Sequence, residues 1–249
     1  SVVRPSFDQL SPGSVQDGDT VTAGNPLLKP LRSRNLDLGV EQRLDRDGAW
    51  SVYAFAKRIQ DFSYQTELAD RSRFPTATKV VGYQNGSAAR LHGLEASYTQ
   101  VLRQLPGWAS GLIVGVNGSW VRSRAELAGF RNGRWEVREI SLPSQSDRTA
   151  NLSLAWEGQQ FSARLAWNHK SAYLLEVGDV FDAAKDRIVR AQGQADLSLR
   201  FSPSKALQLS ADFSNLGNTP YEVVQAGRKN VQLERYGLGV KLLAKWTLQ

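Results

Sequence analysis

The sequence lacks cysteine and methionine altogether, and it contains only two histidines, His92 and His169, in 249 residues. Without cysteine there is no disulfide framework, no cysteine nucleophile and no thiolate metal site. Two histidines leave almost no room for a multi-histidine metal centre. Uninterrupted apolar stretches reach only about five residues, whereas a transmembrane helix needs about 18. The sequence therefore excludes a helical membrane protein.

Positive charge exceeds negative charge, with 31 Lys and Arg against 24 Asp and Glu and a formal net charge of +7. The basic residues are scattered rather than grouped with stacking aromatics, so no nucleic-acid partner is expected. The apolar fraction of 41% is typical of a folded chain. The chain begins Ser-Val-Val-Arg, without an initiator methionine or a charged-then-apolar leader. We therefore expect a processed chain or a part of a longer protein.

Apolar and polar residues alternate with a period of two along most of the chain, which predicts β-strands. Many of the segments are about ten residues long, against a mean of about five or six in globular proteins. A tilted strand that crosses a bilayer needs about 9–11 residues. In the segment 50–59 both faces are fairly apolar, so its orientation stays open. The nine predicted strands centre on 36–40, 50–59, 94–98, 112–120, 150–156, 161–167, 195–201, 207–213 and 235–248.

The connections between these strands alternate between short and long. The short ones lie at 45–48, 102–107, 157–160 and 202–205, and the long ones at 62–88, 124–147, 170–192 and 217–232. Outer-membrane barrels alternate in this way between short periplasmic turns and long extracellular loops. Aromatic residues also mark two levels, as interfacial girdles do. Trp50, Trp108, Trp156 and Trp246 lie towards the short turns, and Trp120, Trp167 and Tyr236 towards the long loops.

These patterns predict an all-β fold, an antiparallel transmembrane β-barrel wall of about nine long strands. The alternative is a soluble antiparallel sandwich or solenoid, which would have shorter strands and connections that do not sort by length. If the apolar face meets lipid, the polar face lines a wet lumen. Nine strands cannot close an even-numbered barrel, and lipid does not tolerate open strand edges. We therefore expect further strands upstream of this chain.

Five motifs resemble those of TonB-dependent outer-membrane receptors, in the same order along the chain. They are Gly24-Asn-Pro-Leu-Leu-Lys-Pro30 with Asn35-Leu-Asp-Leu-Gly-Val-Glu41, Phe55-Ala-Lys-Arg-Ile-Gln-Asp-Phe62, Gly93-Leu-Glu95, Asn215-Leu-Gly-Asn-Thr-Pro-Tyr221 and Tyr236-Gly-Leu-Gly-Val240. The resemblance implies a barrel of about 22 strands with a plugged lumen. Residues 1–249 would be its C-terminal portion, without the plug domain. The usual C-terminal aromatic residue is missing, since the chain ends Trp246-Thr-Leu-Gln249.

The resemblance also implies a function and a location. The intact protein would sit in the bacterial outer membrane and take up a scarce ligand, such as a siderophore, a cobalamin or an oligosaccharide. TonB would supply the energy through the missing plug domain. Outer-membrane lipid, lipopolysaccharide, the barrel assembly machinery and a small-molecule ligand would be its partners. No enzyme activity and no cofactor are implied. Two alternatives stay open: a passive porin, and a barrel hydrolase whose base would have to be His92 or His169.

Candidate ligand-binding residues lie in the long connections. A basic segment carries Arg131, Arg134 and Arg138 around Trp135, where an aromatic ring could stack and an anion could pair. Neutralisation of lipopolysaccharide phosphates, or a solvated loop, explains it as well. Arg71 and Arg73 form a second basic group with the same alternatives. Tyr64 and Tyr173 lie near strand tops and could line a ligand vestibule or belong to a girdle. No catalytic or metal-binding residue is predicted, because packing against a polar plug explains the acidic pair Asp37 and Glu41.

Overall fold

A computed structural model describes residues 1–68, 72–131, 134–225 and 228–247. These residues form nineteen strands, one α-helix, α1 (Phe7–Leu10), and 3₁₀ turns at Gly107–Gly111 and Ala183–Lys185. No helix in these ranges is long and apolar enough to cross a membrane. In chain order the strands are β1 (Val2–Val3), β2 (Ser14–Asp17), β3 (Thr20–Ala23), β4 (Leu31–Leu44), β5 (Gly48–Gln60), β6 (Ser63–Glu67), β7 (Lys79–Asn85), β8 (Ala88–Val101), β9 (Leu112–Arg131), β10 (Arg134–Ile140), β11 (Arg148–Glu157), β12 (Phe161–Lys170), β13 (Tyr173–Glu176), β14 (Arg187–Val189), β15 (Gln192–Phe201), β16 (Leu207–Ser214), β17 (Tyr221–Gln225), β18 (Arg228–Glu234) and β19 (Gly239–Trp246).

Nine long strands form one antiparallel sheet, which we call the wall. Its order is β4-β5-β8-β9-β11-β12-β15-β16-β19, so each strand pairs with the next long strand along the chain. The prediction of nine long antiparallel strands is confirmed. The short connections fall where the sequence placed them, and Asp45 adopts a positive φ of 50° in the tight turn between β4 and β5.

The two faces of the wall differ in chemistry, because successive strand residues point to opposite sides. The register places Leu152 beside Val116 and Trp167 on the outward face. On the inward face Asn151 lies between Asn117 and Asn168, and its Nδ2 donates to Asn117 Oδ1 at 2.8 Å. Exposed apolar side chains therefore cover the outward face, and we call this surface the apolar belt. It includes Leu36, Leu38, Val40, Val52, Leu94, Val116, Leu152, Leu154, Leu165, Leu209, Val240 and Leu242.

The orientation of β5, which the sequence left open, follows from one close contact. The Tyr53 hydroxyl donates to Glu41 on the inward face of β4. Its ring lies over Gly39, where a Cβ atom would come within 2.0 Å of the Tyr53 ring. Glycine is required there because any side chain would displace the ring. Val52 and Ala54 consequently face outwards.

The wall is an open sheet within the described residues. Strand β4 forms one edge, where β1 covers only two of its fourteen residues, and β19 forms the other edge. Unpaired N–H and C=O groups at such edges are incompatible with lipid. The two open edges, at β4 and β19, agree with the prediction that these strands form part of a larger barrel.

The long connections, and residues 14–23 ahead of the first wall strand, contain short strands that the sequence analysis does not predict. One four-stranded sheet has the order β2-β3-β7-β6, with β3 parallel to β7, and a second has the order β13-β14-β17-β18. A bridge between Thr66 and Val177 joins them. We call the two sheets, with the hairpin arm β10, the cap. These strands have only three to seven residues each, too short for a period of two to stand out in the sequence.

The hydrophobic core of the molecule lies in the cap and at the cap end of the wall. One buried cluster at the end of the wall that carries the cap, which we call the main cap core, contains Phe62, Tyr64, Leu174, Val177 and, from the part of β9 that pairs with β10, Leu127. A smaller cluster lies inside the first cap sheet and contains Val21, Ala77 and Val80. The cap therefore packs as a small globular layer on the wall.

Two boundaries differ from the prediction. Strand β9 continues to Arg131 and pairs with β10, so the basic segment belongs to a hairpin rather than to an irregular loop. The last strand begins at Gly239 rather than at Arg235, so Tyr236 belongs to a connection and not to the wall. Gly237 causes this second difference, because it takes a positive φ of 75° and its carbonyl oxygen accepts a hydrogen bond from Asn215 Nδ2. That conformation interrupts a strand.

Candidate functional site

A polar cleft opens where the inward face of the wall meets the cap, and we call it the vestibule cleft. It has a volume of about 380 Å³. Its wall side carries the side-chain amides of Asn168, Gln192 and Gln194, which the register places on the inward face of β12 and β15. Its cap side carries Tyr221 and Tyr236. The cleft therefore offers amides and phenols, which can both donate and accept hydrogen bonds.

A lysine and a third phenol adjoin this cleft. Lys170 lies directly opposite Gln192, and its Nζ is 4.2 Å from the ring centroid of Tyr173. Burial raises the pKa of Tyr173, and the neighbouring Tyr221 phenol raises it further. Among the described residues, no carboxylate forms an ion pair with Lys170. Tyr173 is therefore a neutral donor at physiological pH, beside a positive charge that is left for an anion.

Asn215 holds the cap side of the vestibule cleft in place. It is buried and adopts a positive φ of 57°. Its Oδ1 accepts from Thr219 N at 2.8 Å, and its Nδ2 donates to Thr219 O at 3.2 Å and Gly237 O at 3.1 Å. One side chain thus ties together the segments that carry Tyr221 and Tyr236. Asparagine tolerates the left-handed conformation better than other side chains do.

The hydroxyl of Tyr236 is anchored in the same region. It donates to the Glu234 carboxylate, and this bond raises the pKa of Tyr236 and lowers the pKa of Glu234. The phenol therefore keeps its proton, and Glu234 stays ionised. Tyr236 lines the cleft with its hydroxyl already bonded to Glu234.

Arg138 and Tyr173 are the two predicted site residues that line a common cleft, which has a volume of about 270 Å³. Arg138 is not free there. Its guanidinium forms a bidentate ion pair with the Asp186 carboxylate, in which Nη1 lies 3.2 Å from Oδ1. The same Nη1 also donates to Asp179 O at 2.8 Å. Because both side chains of the pair are largely buried, at 19% and 10% exposed, the geometry indicates that Arg138 stabilises the cap.

The structure places Tyr64 inside the main cap core, where it is 4% exposed. Its hydroxyl donates to Gln84 Oε1 at 3.2 Å, and burial raises its pKa to about 12. The side chain packs beside Phe62 and contributes no surface to either cleft.

The remaining predicted residues lie apart from one another. Arg73 is exposed, contacts Pro12 O at 3.5 Å and lies over the ring of Phe74. Arg134 pairs with Glu136 at 3.2 Å near the tip of the hairpin. Arg71 lies outside the described residues, and for Arg131 and Trp135 only the backbone is described.

Both histidines lie on the outward face of the wall, beside tryptophans. His92 meets Trp120 edge to face at 6.3 Å, and His169 stacks on Trp167 at 5.7 Å between ring centroids. Within the described ranges, no group of three or more His, Asp or Glu side chains could hold a metal ion. Neither histidine lies in the vestibule cleft.

Sequence reasoning missed the principal residues of the vestibule cleft. The sequence analysis assigns Lys170 and Gln192 to the connection 170–192, but β12 and β15 extend to include them, and continued alternation places both on the inward face. Their approach to Tyr221 was not predictable, because about thirty residues separate that tyrosine from Gln192 and no periodic pattern links them. The segment from Asn215 to Tyr221 is singled out in the sequence only because it resembles a motif of the receptor family.

Comparison with known proteins identifies the family. The family model described as "TonB dependent receptor-like, beta-barrel" matches residues 1–216. No match was found among functionally curated proteins.

Solved structures match the fold at low sequence identity. The copper transporter OprC has a TM-score of 0.60 and 18% identity over 89% of this chain and 30% of its own. The siderophore receptor PiuA from Acinetobacter baumannii has a TM-score of 0.59 and 16% identity over 86% and 28%. A Q482A mutant of the ferric enterobactin receptor PfeA from Pseudomonas aeruginosa, in complex with enterobactin, has a TM-score of 0.61 and 16% identity over 98% and 37%.

This chain therefore spans about a third of the length of the solved structures that it matches. At these identities the likeness is one of fold. The family model, in contrast, covers most of the chain, and the wall has the antiparallel architecture that it describes. The chain belongs to the TonB-dependent receptor β-barrel family and is an outer-membrane protein.

Proposed function

We propose that this chain forms part of the barrel and of the ligand vestibule of a receptor that takes up a scarce, metal-bearing ligand across the outer membrane. Uptake is energised by TonB acting on a plug domain that belongs to the same receptor. The chain contributes lumen wall and cap, and it carries out no catalytic step. The observation that supports this proposal best is the position of the vestibule cleft, at the cap end of the lumen face.

The chemistry of the vestibule cleft suits an anionic chelate with exposed oxygen atoms. Lys170 supplies a positive charge, and Tyr173 and Tyr221 supply phenols next to it. Gln192 and Gln194 add amides on the adjacent strand. Charge-assisted hydrogen bonds to oxyanions are about twice as strong as neutral ones. Proteins of similar structure include a copper transporter and a siderophore receptor, which agrees with this ligand class.

The test measures binding and uptake by the complete receptor in a strain that lacks its own copy of the gene. Ferric enterobactin and a ferric hydroxamate serve as probes. The variant Lys170→Gln with Tyr221→Phe is expected to weaken binding of the preferred chelate about tenfold, because it removes one charge-assisted contact and one neutral one. Lys205→Gln, in a short turn at the opposite end of the wall, removes the same charge and is the matched control.

Energy dependence separates the receptor from the passive porin. Collapse of the proton-motive force is expected to abolish accumulation of the chelate while leaving surface binding intact. Accumulation that persists without the proton-motive force supports a porin instead. Equal binding by wild type and the Lys170→Gln, Tyr221→Phe variant contradicts the assignment of the vestibule cleft.

A further inference from the structure

The inward face of the wall differs in charge between its two sides. On β4, β5 and β8 the inward residues include two basic and three acidic side chains. On β12, β15, β16 and β19 they include two acidic side chains and five basic ones, which we call the basic track: Lys170, Arg164, Arg200, Lys241 and Lys245. An anion on the lumen face is therefore attracted to the side formed by β12 to β19.

The basic track begins beside the vestibule cleft and follows the strands towards the short turns. Lys170 lies at the cap end of β12, opposite Gln192. The next inward pair is Asn168 with Gln194, whose side-chain amides line the vestibule cleft. Arg164 lies six residues from Lys170 on the same face of β12, which corresponds to about 20 Å. The track therefore connects the cleft with the deeper part of the lumen face.

Beyond the vestibule cleft, the basic track occupies three successive rows of paired residues. The register places Arg164 in one row with Asp212 and Lys241. Arg200 lies in the next inward row, and Lys245 lies in the row after that. Rows that share a face are about 7 Å apart. This spacing is shorter than the screening length of about 8 Å at physiological ionic strength, so an anion at one row is still attracted by the next.

Two carboxylates on the same strands compensate the basic track only in part. Asp196 Oδ1 already accepts hydrogen bonds from Asn215 N at 2.8 Å and from Gln194 Nε2 at 2.9 Å. Asp212 lies directly opposite Lys241 and offsets that single charge. The inward face of these four strands therefore keeps an excess of positive charge.

Arg164, Arg200 and Lys245 are exposed, and in the part of the chain that the structure describes no ion pair reaches them. Exposed cations hold an anion weakly, because water screens each contact. A conducting path needs several weak sites rather than one tight site, since the solute must leave each site as readily as it enters. The basic track has this arrangement.

We infer that the basic track is the route along which an anionic chelate moves from the vestibule cleft to the periplasmic end of the lumen. The inference rests on the proposed function and adds the side of the lumen along which uptake proceeds. The other candidate occupant is an acidic face of the plug domain. Continuity favours the chelate, because the track starts at the ligand cleft and β12 carries no carboxylate between Lys170 and the short turn. Docking of a plug does not require that continuity.

The test separates surface binding from uptake in the complete receptor, expressed in a strain that lacks its own copy of the gene. Ferric enterobactin, an anionic chelate, is the probe. The variant Arg164→Gln with Arg200→Gln should bind it with wild-type affinity on energy-depleted cells, because neither residue lines the vestibule cleft. Its maximal rate of energised uptake should fall at least about tenfold, because two charge-assisted contacts are lost along the route.

The matched control is Arg43→Gln with Lys57→Gln, which removes two cations from the inward face of β4 and β5. This control should keep both the wild-type affinity and the wild-type rate of uptake. Arg164→Lys with Arg200→Lys keeps the charge and should keep most of the uptake rate, since a route needs charge rather than the planar fork. Heat-modifiable migration on gels confirms that each variant is folded. Entry of vancomycin, which reports a displaced plug, should be the same in every variant as in wild type.

Ion selectivity gives a second measurement that does not depend on the identity of the ligand. In planar bilayers, with the plug loosened by urea, the complete receptor should pass less chloride relative to potassium after Arg164→Gln with Arg200→Gln, and the control should keep the wild-type ratio. A wild type that neither binds nor accumulates ferric enterobactin counts against the proposed function, and the selectivity measurement then decides the inference. Wild-type uptake by a variant of a receptor that transports the chelate, unchanged selectivity, an equal loss in the control, or increased entry of vancomycin would each overturn the inference.

Discussion

The cap and the wall use apolar side chains in opposite ways. In the main cap core, Leu127 and Val177 are fully buried and pack against other side chains of the protein. In the wall, Leu152 and Leu154 are about half exposed, at 48% and 49%, and belong to the apolar belt. Every fully buried apolar side chain among the described residues lies in the cap or at the cap end of the wall.

The difference shows that exposure has two meanings in this molecule. In the cap an exposed residue meets water, and the hydrophobic effect stabilises what is enclosed. On the outward face of the wall an exposed residue meets lipid. The strands are held by backbone pairing, by lipid contact and by polar contacts on the inward face such as Ser51 with Ser97 at 2.8 Å. A substitution must therefore be judged by its region before its exposed area is considered.

The largest effect is expected from removing the same side chain in the two regions. Leu127→Ala in the main cap core should lower the free energy of unfolding by about 4 kcal/mol, because a fully enclosed site cannot collapse around the cavity. Leu154→Ala in the apolar belt should cost less than about 1 kcal/mol, since lipid fills the space. Denaturant unfolding in lipid vesicles, followed by tryptophan fluorescence, measures both. Equal losses would mean that the apolar belt is packed against protein.

Introducing a charge reverses the order of the two regions. Leu154→Arg in the apolar belt should cost about 3 kcal/mol, since arginine on the lipid face is destabilising near the bilayer midplane. Leu27→Arg in the cap connection, where the side chain is 87% exposed, should change stability by no more than about 0.5 kcal/mol. The same vesicle assay compares them. A negligible effect of Leu154→Arg contradicts the lipid-facing orientation of β11.

The wall was predictable from the sequence and the cap was not, for a physical reason. A long strand with lipid on one side and a wet lumen on the other must alternate, so residues such as Leu152 and Asn151 reveal both the strand and its orientation. Cap strands such as Tyr173–Glu176 are short and enclosed by other cap segments, so no solvent contrast imposes a pattern on them. Strand β5 lies between these cases, because Tyr53 and Phe55 face the lumen while remaining aromatic.

The candidate site divides in the same way. Lys170 and Gln192 lie at the ends of wall strands, three residues beyond the predicted segments, and their inward orientation follows when the alternation is extended to them. Tyr64 and Arg138 lie in the cap, where the sequence could not separate a buried residue from a ligand contact. The partners that fix Arg138 are the Asp186 carboxylate and the Asp179 carbonyl, about 40 to 50 residues further along the chain. Such contacts depend on how the cap sheets pack, which no local pattern encodes.

Two arginines on the same hairpin sharpen the comparison within the cap. Arg138→Gln should cost about 2–3 kcal/mol, because it leaves the Asp186 carboxylate enclosed without its partner. Arg134→Gln breaks an exposed pair with Glu136 and should cost no more than about 0.5 kcal/mol. Replacing both members of the buried pair, in Arg138→Met with Asp186→Leu, should restore part of the loss. If Arg134→Gln lowers the free energy of unfolding as much as Arg138→Gln does, the difference in burial between the two ion pairs does not determine their contribution to stability.

The smallest effect concerns Tyr64, whose enclosure in the cap core should appear as a dependence on alkaline pH. Burial raises the pKa of Tyr64 from 10.0 to about 12 in the folded protein. Between these values the unfolded chain loses the phenolic proton while the folded protein keeps it, so the free energy of unfolding falls as pH rises. Below pH 10 both states stay protonated, and this contribution is constant.

Tyr64→Phe should remove that alkaline slope, and it should cost only about 1 kcal/mol at neutral pH for the lost hydrogen bond to Gln84. Tyr98→Phe, on the outward face of β8, is the control from the wall, and it should leave the slope unchanged. If Tyr64→Phe keeps the slope of wild type, water reaches the main cap core and the contrast between cap and wall is weaker than the geometry indicates.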